Sequence, residues 1–353
     1  MKHFTTALAL LAVTLAGCGS GSNASGTAEP GVVLLRYTQG SESTEQREQG
    51  FLETLDKESP EIHVLSSNQY SGTTPESSLD KSQSILRRFG QRVQGVFCVC
   101  EPNATGMLRA LEDEGLAGKV HFIGFDPTPR MVDAMAEGHM DGIVLQDPVK
   151  MGYLAVTTMV RHLEGEQVEK RITTGEYIAT PENMHTPEMK QLLKPEQFSG
   201  EEFQPEETKY VIAVIPKGTT HEFWKSVHAG ARNAARELGN VEIRWKGPLL
   251  ENDREGQINV VQGFTSARVD GICLAPLDAQ ALIQVVEEAK SEGIPTVIYD
   301  SDLDDDGELK VSYVATDNYQ GGALAARRMA EVIAAQQPQG PKNPAPAPQA
   351  AAR

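Results

Sequence analysis

The chain has 353 residues, longer than one ordinary hydrophobic core and suited to two domains of common size. Its 39% hydrophobic and 23% charged residues describe a soluble globular chain and exclude a disordered or membrane-spanning one. A formal net charge of −17 excludes the basic face that sequence-independent phosphate binding needs, so no nucleic-acid partner is expected.

Met1-Lys2-His3 is a short basic start, and the apolar run from Ala7 to Ala16 is too short to span a bilayer as a helix. It ends in Leu15-Ala16-Gly17-Cys18, which resembles a bacterial lipoprotein signal. That resemblance implies a signal peptide over residues 1–17, cleavage before Cys18, and a lipid on Cys18 that anchors the protein to a membrane. A plain secretory signal is the alternative, and either one means export. Residues 18–30 are small and polar and read as a flexible tether.

From Gly31 onward short apolar runs alternate with amphipathic stretches, the pattern of a parallel sheet covered by helices. Val32 to Tyr37, Ile62 to Ser66, Val93 to Cys100, Val120 to Phe125 and Gly142 to Gln146 read as strands. Cys98 and Cys100 alternate along one of these runs and are expected on one face, too close for a disulfide. With Cys273 they read as small buried side chains, and no histidine is spaced to complete a zinc set. Residues 186–208 turn to Lys, Glu, Pro and Gln and read as a linker. Beyond it, Tyr210 to Ile215, Val241 to Trp245, Val269 to Ala275 and Thr296 to Tyr299 are strands. Thr219 and Thr220 are candidate caps for a helix carrying Phe223, Val227, Ala231, Ala234 and Leu238, closed by Gly239. Further helices carry Ile258, Val261 and Phe264, then Leu282, Val285, Val286 and Ala289. The tail 336–353, rich in Pro, Ala and Gln, is expected to be disordered.

One echo is specific. Val93-Gln94-Gly95-Val96 matches Val269-Asp270-Gly271-Ile272, and each precedes a helix, a glycine turn and a strand ending in Asp126 or Asp300. Two α/β lobes of one construction would set these aspartates on opposite walls of a cleft, because ligands bind beyond the carboxyl ends of the strands.

The runs Ala213-Val214-Ile215-Pro216-Lys217-Gly218, His221-Glu222-Phe223-Trp224, Ala275-Pro276-Leu277-Asp278, Val297-Ile298-Tyr299-Asp300 and Ala315-Thr316-Asp317-Asn318 resemble periplasmic sugar-binding proteins of the ribose-binding type. So do Arg47-Glu48-Gln49-Gly50-Phe51, Gly124-Phe125-Asp126 and Gln146-Asp147-Pro148 in the first half. The resemblance implies two Rossmann-like lobes with parallel sheets and a three-crossover hinge. It runs in the wrong order: segments like the family's second half come first, as in a circular permutation. The family's chain would start at Lys209, run to about Ala335 and continue at about Gly31. The expected lobes are 31–146, completed by 171–185 and 317–335, and 209–316, with helix 147–170 returning to the latter. Crossings are expected near Thr316-Asp317, Gln146-Asp147 and Glu169-Arg171, and residues 318–334 should pack beside strand 32–37.

The resemblance nominates Lys217, His221, Phe223, Trp224, Asp278, Asp300 and Ser301 on one lobe. On the other it nominates Arg47, Tyr70, Glu101 and Asp126, with Gln146 and Asp317 at the hinge. A sugar offers hydroxyls to charged groups and apolar faces to rings, and Arg47, Asp126 and Asp300 are the strongest candidates. Asp278 equally suits a cap for a helix starting at Ala279. One of Phe223 and Trp224 is expected in the core, and His221 equally suits a solvated helix start. Small Cys100 and Ala275 stand where the family often has amides, and Lys217 where it has a small hydroxyl, which points away from ribose. The implied protein is a monomeric, non-enzymatic binder of a small sugar or polyol without a cofactor. Ligand would favour lobe closure, and an ABC-transporter permease would read the closed surface; delivery to a chemoreceptor or sensor kinase is the alternative.

Asp300-Ser301-Asp302-Leu303-Asp304 after a strand resembles the nucleophile loop of haloacid-dehalogenase-type phosphatases, but Asp304 stands where that loop has Thr or Val. Asp302, Asp304, Asp306 and Gly307 have calcium-loop spacing, yet Tyr313 occupies the position of the closing glutamate.

Overall fold

A computed structural model describes residues 29–195 and 203–336. The signal, most of the tether, part of the linker and the tail beyond Gln336 lie outside the described residues. In chain order the elements are β1 (Gly31–Arg36), α1 (Glu42–Glu58), β2 (Val64–Tyr70), α2 (Pro75–Phe89), β3 (Val93–Cys98), α3 (Glu101–Asp113), β4 (His121–Phe125), α4 (Pro129–Ala136) and β5 (Gly142–Leu145). There follow α5 (Pro148–Leu163), β6 (Arg171–Thr173), β7 (Tyr177–Ala179) and α6 (Pro187–Leu193). The last part holds β8 (Tyr210–Ile215), α7 (Glu222–Leu238), β9 (Val241–Trp245), α8 (Arg254–Ser266), β10 (Gly271–Leu274), α9 (Ile283–Ser291), β11 (Thr296–Tyr299), β12 (Ser312–Ala315) and α10 (Asn318–Gln336).

Two sheets result, ordered β2-β1-β3-β4-β5-β7 and β6-β12-β11-β10-β8-β9. The second is parallel throughout, and the first is parallel except where β7 runs antiparallel to β5. In each lobe five strands take the doubly wound order 2-1-3-4-5. The central strands are apolar on both faces because helices cover both. Val96, Phe97 and Cys98 of β3 and Val297 and Ile298 of β11 are fully buried, and burying each Val, Ile or Phe contributes about 1.5–3 kcal/mol. On the first sheet, α1 and α10 share one face with Val32 and Leu34, and α2, α3, α4 and α6 share the other. On the second, α5 and α7 lie opposite α8 and α9. Helix α10 therefore packs on the β1 face, as expected from the sequence. No helix among the described residues is long and apolar enough to cross a membrane.

The sequence echo has a packing cause. A Cβ on Gly95 would stand 2.3 Å from the Met329 sulfur, and one on Gly271 would stand 2.4 Å from the Met159 sulfur. In each lobe the long helix after a crossing rests its methionine on the strand where a side chain is missing.

Four expectations need correction. The helix α6 replaces the start of the linker, because Thr186 caps it and Met189, Leu192 and Leu193 enter the first lobe's core. The third crossing lies at 174–176 and not at 169–171: β6 pairs with β12 of the second sheet, so residues 171–173 do not complete the first lobe. Helix α7 is entered at His221 and not at Thr219 or Thr220. Finally, Cys98 and Cys100 do not share a face. Strand β3 ends at Cys98, and Cys100 turns into the N-cap of α3 and joins a different cluster. The other crossings, at 146–147 and 316–317, stand where the sequence puts them.

Candidate functional site

The carboxyl ends of the two sheets face each other across a cavity of about 30 Å³. From the first lobe, Tyr37 follows β1, Ser41 caps α1 and Ser43, Thr44 and Arg47 lie in its first turns, Cys100 and Glu101 open α3, and Asp126 follows β4. From the second, Lys217 follows β8, His221, Phe223 and Trp224 open α7, Glu251 precedes α8, and Asp300 ends β11. Gln146 lines it from a crossing.

Asp126 and Asp300 are built alike. Each takes a left-handed backbone, with φ of 62° and 65°, a region where only Gly, Asn and Asp settle readily. Each donates its N–H to the carbonyl of the neighbouring strand, Val144 or Val314. The turn aims both carboxylates into the cleft.

Their surroundings differ. Asp126 Oδ1 accepts from Gln146 Nε2 at 2.9 Å, and Oδ2 lies 3.7 Å from Arg47 Nη1. Burial raises its pKa, against Arg47 and Gln146, to about 6. Arg47 is itself fixed: Nε donates to Asn318 Oδ1, Nη1 to the Val99 carbonyl, and the guanidinium lies 3.7 Å over the Phe125 ring. Asp300 instead faces a cation of its own lobe, Lys217 Nζ at 2.7 Å, with both side chains buried. The same ammonium donates to Ser301 Oγ at 2.5 Å, and across the cleft to Ser43 at 3.0 Å and Ser41 at 3.3 Å. Ser301 Oγ accepts from the Ser43 N–H, the Asp302 N–H donates to Glu42, and the Ala279 N–H donates to the Gly40 carbonyl. The lobes meet closed.

At the other end, Glu251 Oε1 accepts from His221 Nδ1 at 2.8 Å and from Trp224 Nε1 at 2.6 Å. Burial works against the His221 imidazolium, but Glu251, with Glu101 and Asp126, outweighs it and holds the pKa up to about 9. Glu251 goes the other way: these donors and Lys217 overcome burial and bring it down to about 2. Glu101, buried and only partly offset by His221, rises to about 7. Trp224 is nearly fully buried, edge-on to Phe223 at 4.8 Å and to Tyr299 at 6.3 Å.

Of the residues nominated from sequence, Arg47, Glu101, Asp126, Gln146, Lys217, His221, Phe223, Trp224 and Asp300 come together in this cavity. Ser301 stands behind Lys217. Three do not join them. Tyr70 is drawn to Arg36, whose Nη1 donates to its hydroxyl at 2.9 Å. Asp278 accepts from the Gln280 and Ala281 N–H groups and pairs with Arg254 at 2.8 Å, and α9 starts only at Ile283. Asp317 accepts from the Gln320 N–H at the start of α10, and its neighbour Asn318 reaches Arg47. Glu251, Tyr37, Ser41 and Ser43 were not nominated. Tyr37 and the two serines follow the end of β1, a position where the fold rule could have found them. Glu251 sits among ordinary polar loop residues and gives no such signal.

The phosphatase and calcium readings of the acidic loop do not survive the geometry. Asp302 turns to Lys310 at 2.7 Å, Asp304 accepts from Gln280, and Asp306 accepts from the Glu308 N–H. These carboxylates diverge, and Asp300 is held by Lys217.

A family model described as a periplasmic binding protein domain matches residues 8–167 and 212–340. The D-ribose/D-allose-binding protein of Pseudomonas aeruginosa is 30% identical over 125 residues, covering 34% of this chain and 39% of that protein. The ribose import binding protein RbsB of Haemophilus influenzae is 31% identical over 141 residues, 40% of this chain and 46% of its own. The chain thus spans less than half the length of the curated relatives it matches. Among solved structures, an ABC transporter periplasmic solute binding protein from Actinobacillus succinogenes with bound D-allose has a TM-score of 0.57 at 15% identity, over 88% of this chain and 93% of that one. That likeness is one of fold alone.

Proposed function

The chain belongs to the periplasmic binding protein domain family, and from that premise we propose that it binds a small neutral sugar or polyol between its lobes and delivers it to an ABC-type importer. The observation that carries this reading is the cavity itself. Charged and hydroxyl side chains from the strand ends of both sheets converge there with the aromatic pair Phe223 and Trp224. Carboxylates and fixed cations suit a ligand that both donates and accepts at many hydroxyls, and an aromatic edge suits its apolar face. The relatives named for ribose and allose point to the same class. The role is binding without chemistry. Ligand contacts drawn from both lobes exist only when the lobes are closed, so ligand favours closure, and the permease reads that state.

Three further parts belong to the proposal. The protein is exported and held at a membrane facing the periplasm by a lipid on Cys18. It acts as a monomer. Its chain is a circular permutation of the family order, beginning in the family at residue 209 and continuing from about 335 to 31. The packing of α10 beside α1 and β1 supports this, since it places both relocated ends in one lobe. A collinear match at 30% identity that stops after 125 residues is also what a moved chain break produces.

The test is a thermal-shift screen of the processed chain against pentoses, hexoses and polyols. A specific ligand at 100 times its Kd stabilises by about 2.7 kcal/mol; no shift with any of them overturns the sugar reading. C18S should move the protein from the membrane fraction to the soluble periplasmic one.

A further inference from the structure

The polar groups around the cavity fall into two populations. Those of the second lobe are partnered within the protein: Lys217 by Asp300 and three serines, and Glu251 by His221 and Trp224. On the first lobe three buried lining atoms meet no partner at hydrogen-bonding geometry: the Tyr37 hydroxyl, Glu101 Oε2 and Gln146 Oε1. Gln146 spends its amide on Asp126. Tyr37 and Glu101 are different, because they stand near each other at one end of the cavity: the Tyr37 hydroxyl turns toward the Glu251 carboxylate of the facing lobe, short of hydrogen-bonding geometry, and Glu101 faces His221 of that lobe. Tyr37 is only 2% exposed, so its hydroxyl has no recourse to bulk water.

A buried donor beside a buried acceptor, both unmet, defines what would satisfy them. A hydroxyl is the smallest group that does both, since it donates one hydrogen and accepts on two lone pairs. A methyl or a hydrogen in its place leaves both atoms unmet. A carboxylate or phosphate brings a second anion against Glu101, with Glu251 and Asp126 close by and the one imidazolium already committed to Glu251.

We propose that Tyr37 and Glu101 form a specificity subsite that grips one neutral ligand hydroxyl opposite the His221–Glu251 pair, rejecting deoxy and acidic sugars there. The hydroxyl donates to Glu101 Oε2 and accepts from the Tyr37 O–H. Trp224 and Glu251 act as positioning residues, since Glu251 fixes the His221 ring that faces this end and holds the indole edge. This inference rests on the sugar-binding reading and adds the polarity of one ligand position to it.

The experiment takes the best sugar from the thermal-shift screen, its mono-deoxy analogues and its uronic acid, and measures Kd by calorimetry for wild type, Y37F and E101Q. Each variant should bind the parent sugar about 10- to 100-fold more weakly, the cost of losing a bond to a buried or charged partner. One deoxy analogue should bind wild type and Y37F equally, because the missing oxygen has already cost what the variant removes. E101Q alone should narrow the gap between the parent sugar and its uronic acid. Ligand-free melting and circular dichroism report whether each variant is folded, and Y37F and E101Q are each sufficient to decide. Parent affinity unchanged in both variants overturns the subsite while the sugar reading stands. An equal penalty for every deoxy analogue in Y37F also overturns it, since it marks a general loss of structure. Absence of binding by wild type to every sugar overturns the parent reading and this one with it.

Discussion

The two lobes were built from one plan and fitted out differently. Both have a 2-1-3-4-5 sheet, an aspartate in left-handed backbone at the end of the fourth strand, and a methionine seated on a glycine of the third. Both also bring two helices together through glycines. A Cβ on Gly50 or Gly322 would stand 2.0 Å from a carbonyl oxygen across the α1–α10 contact, and one on Gly152 or Gly230 would do the same, at 2.0 and 1.9 Å, across α5–α7. Yet Asp126 answers to an amide and a more distant guanidinium, and Asp300 to an ammonium at 2.7 Å. Backbone requirements were kept in both copies, where they fix the fold. The side chains facing the cleft were free to diverge, and they set what each wall can hold.

The comparison breaks most visibly at Lys217. K217M strips a buried carboxylate of its cation, which costs about 3–5 kcal/mol, whereas Q146L on the other wall removes only a neutral donor and should cost about 1–3 kcal/mol. Denaturant unfolding of both variants checks the ordering, and an equal loss would remove the asymmetry. Next come the helix crossings. G322A and G230A each force apart a backbone contact, for about 1–3 kcal/mol by the usual overpacking cost, and the two should be alike. If G322A is nearly neutral, the α1–α10 contact is looser than its counterpart.

The smallest effect is in pH. His221 is raised from 6.5 to about 9, so its contribution is full below pH 6.5 and is lost as pH rises through 9. Asp126 is raised from 3.8 to about 6, so its contribution is present below pH 3.8 and is lost as pH rises through 6. The second lobe therefore sheds stability in the alkaline window and the first in the acid one. E251Q should flatten the fall in Tm between pH 6.5 and 9 by roughly 2–4 °C, and D126N should flatten the one between pH 3.8 and 6. Melting curves across both windows check this, and a single shared window would contradict it.

Much of the fold could be read because buried parallel strands are continuous apolar runs. Tyr210–Ile215, Val241–Trp245 and Thr296–Tyr299 have the bounds that the sequence suggests. The edge strands β6 and β7 could not be read: they have three residues each, and most of those are partly exposed. That hid the true position of the third crossing. Helix α6 was masked by the Lys, Glu, Pro and Gln around its three core residues. In the site, residues at strand ends were legible because topology sends them to the cleft, as with Asp126 and Asp300. Asp278 and Asp317 share the type and the neighbourhood, but nearby backbone N–H groups claim them. Glu251 was invisible, since its importance comes from Trp224 and His221, which only the fold brings to it.

The crossings carry one more consequence. Two of them are two residues long and run at once into helices capped by Asp147 and Asp317, while the third passes through Gly175, at φ 92°, beside a Thr174–Thr316 hydroxyl contact of 3.2 Å. A change of angle between the sheets thus has only a handful of torsions in which to be absorbed. Those torsions begin at Gln146, whose amide touches Asp126 inside the cleft. On the proposed reading, a ligand held in the cleft would thus press on the same side chain from which any swing of the halves must start.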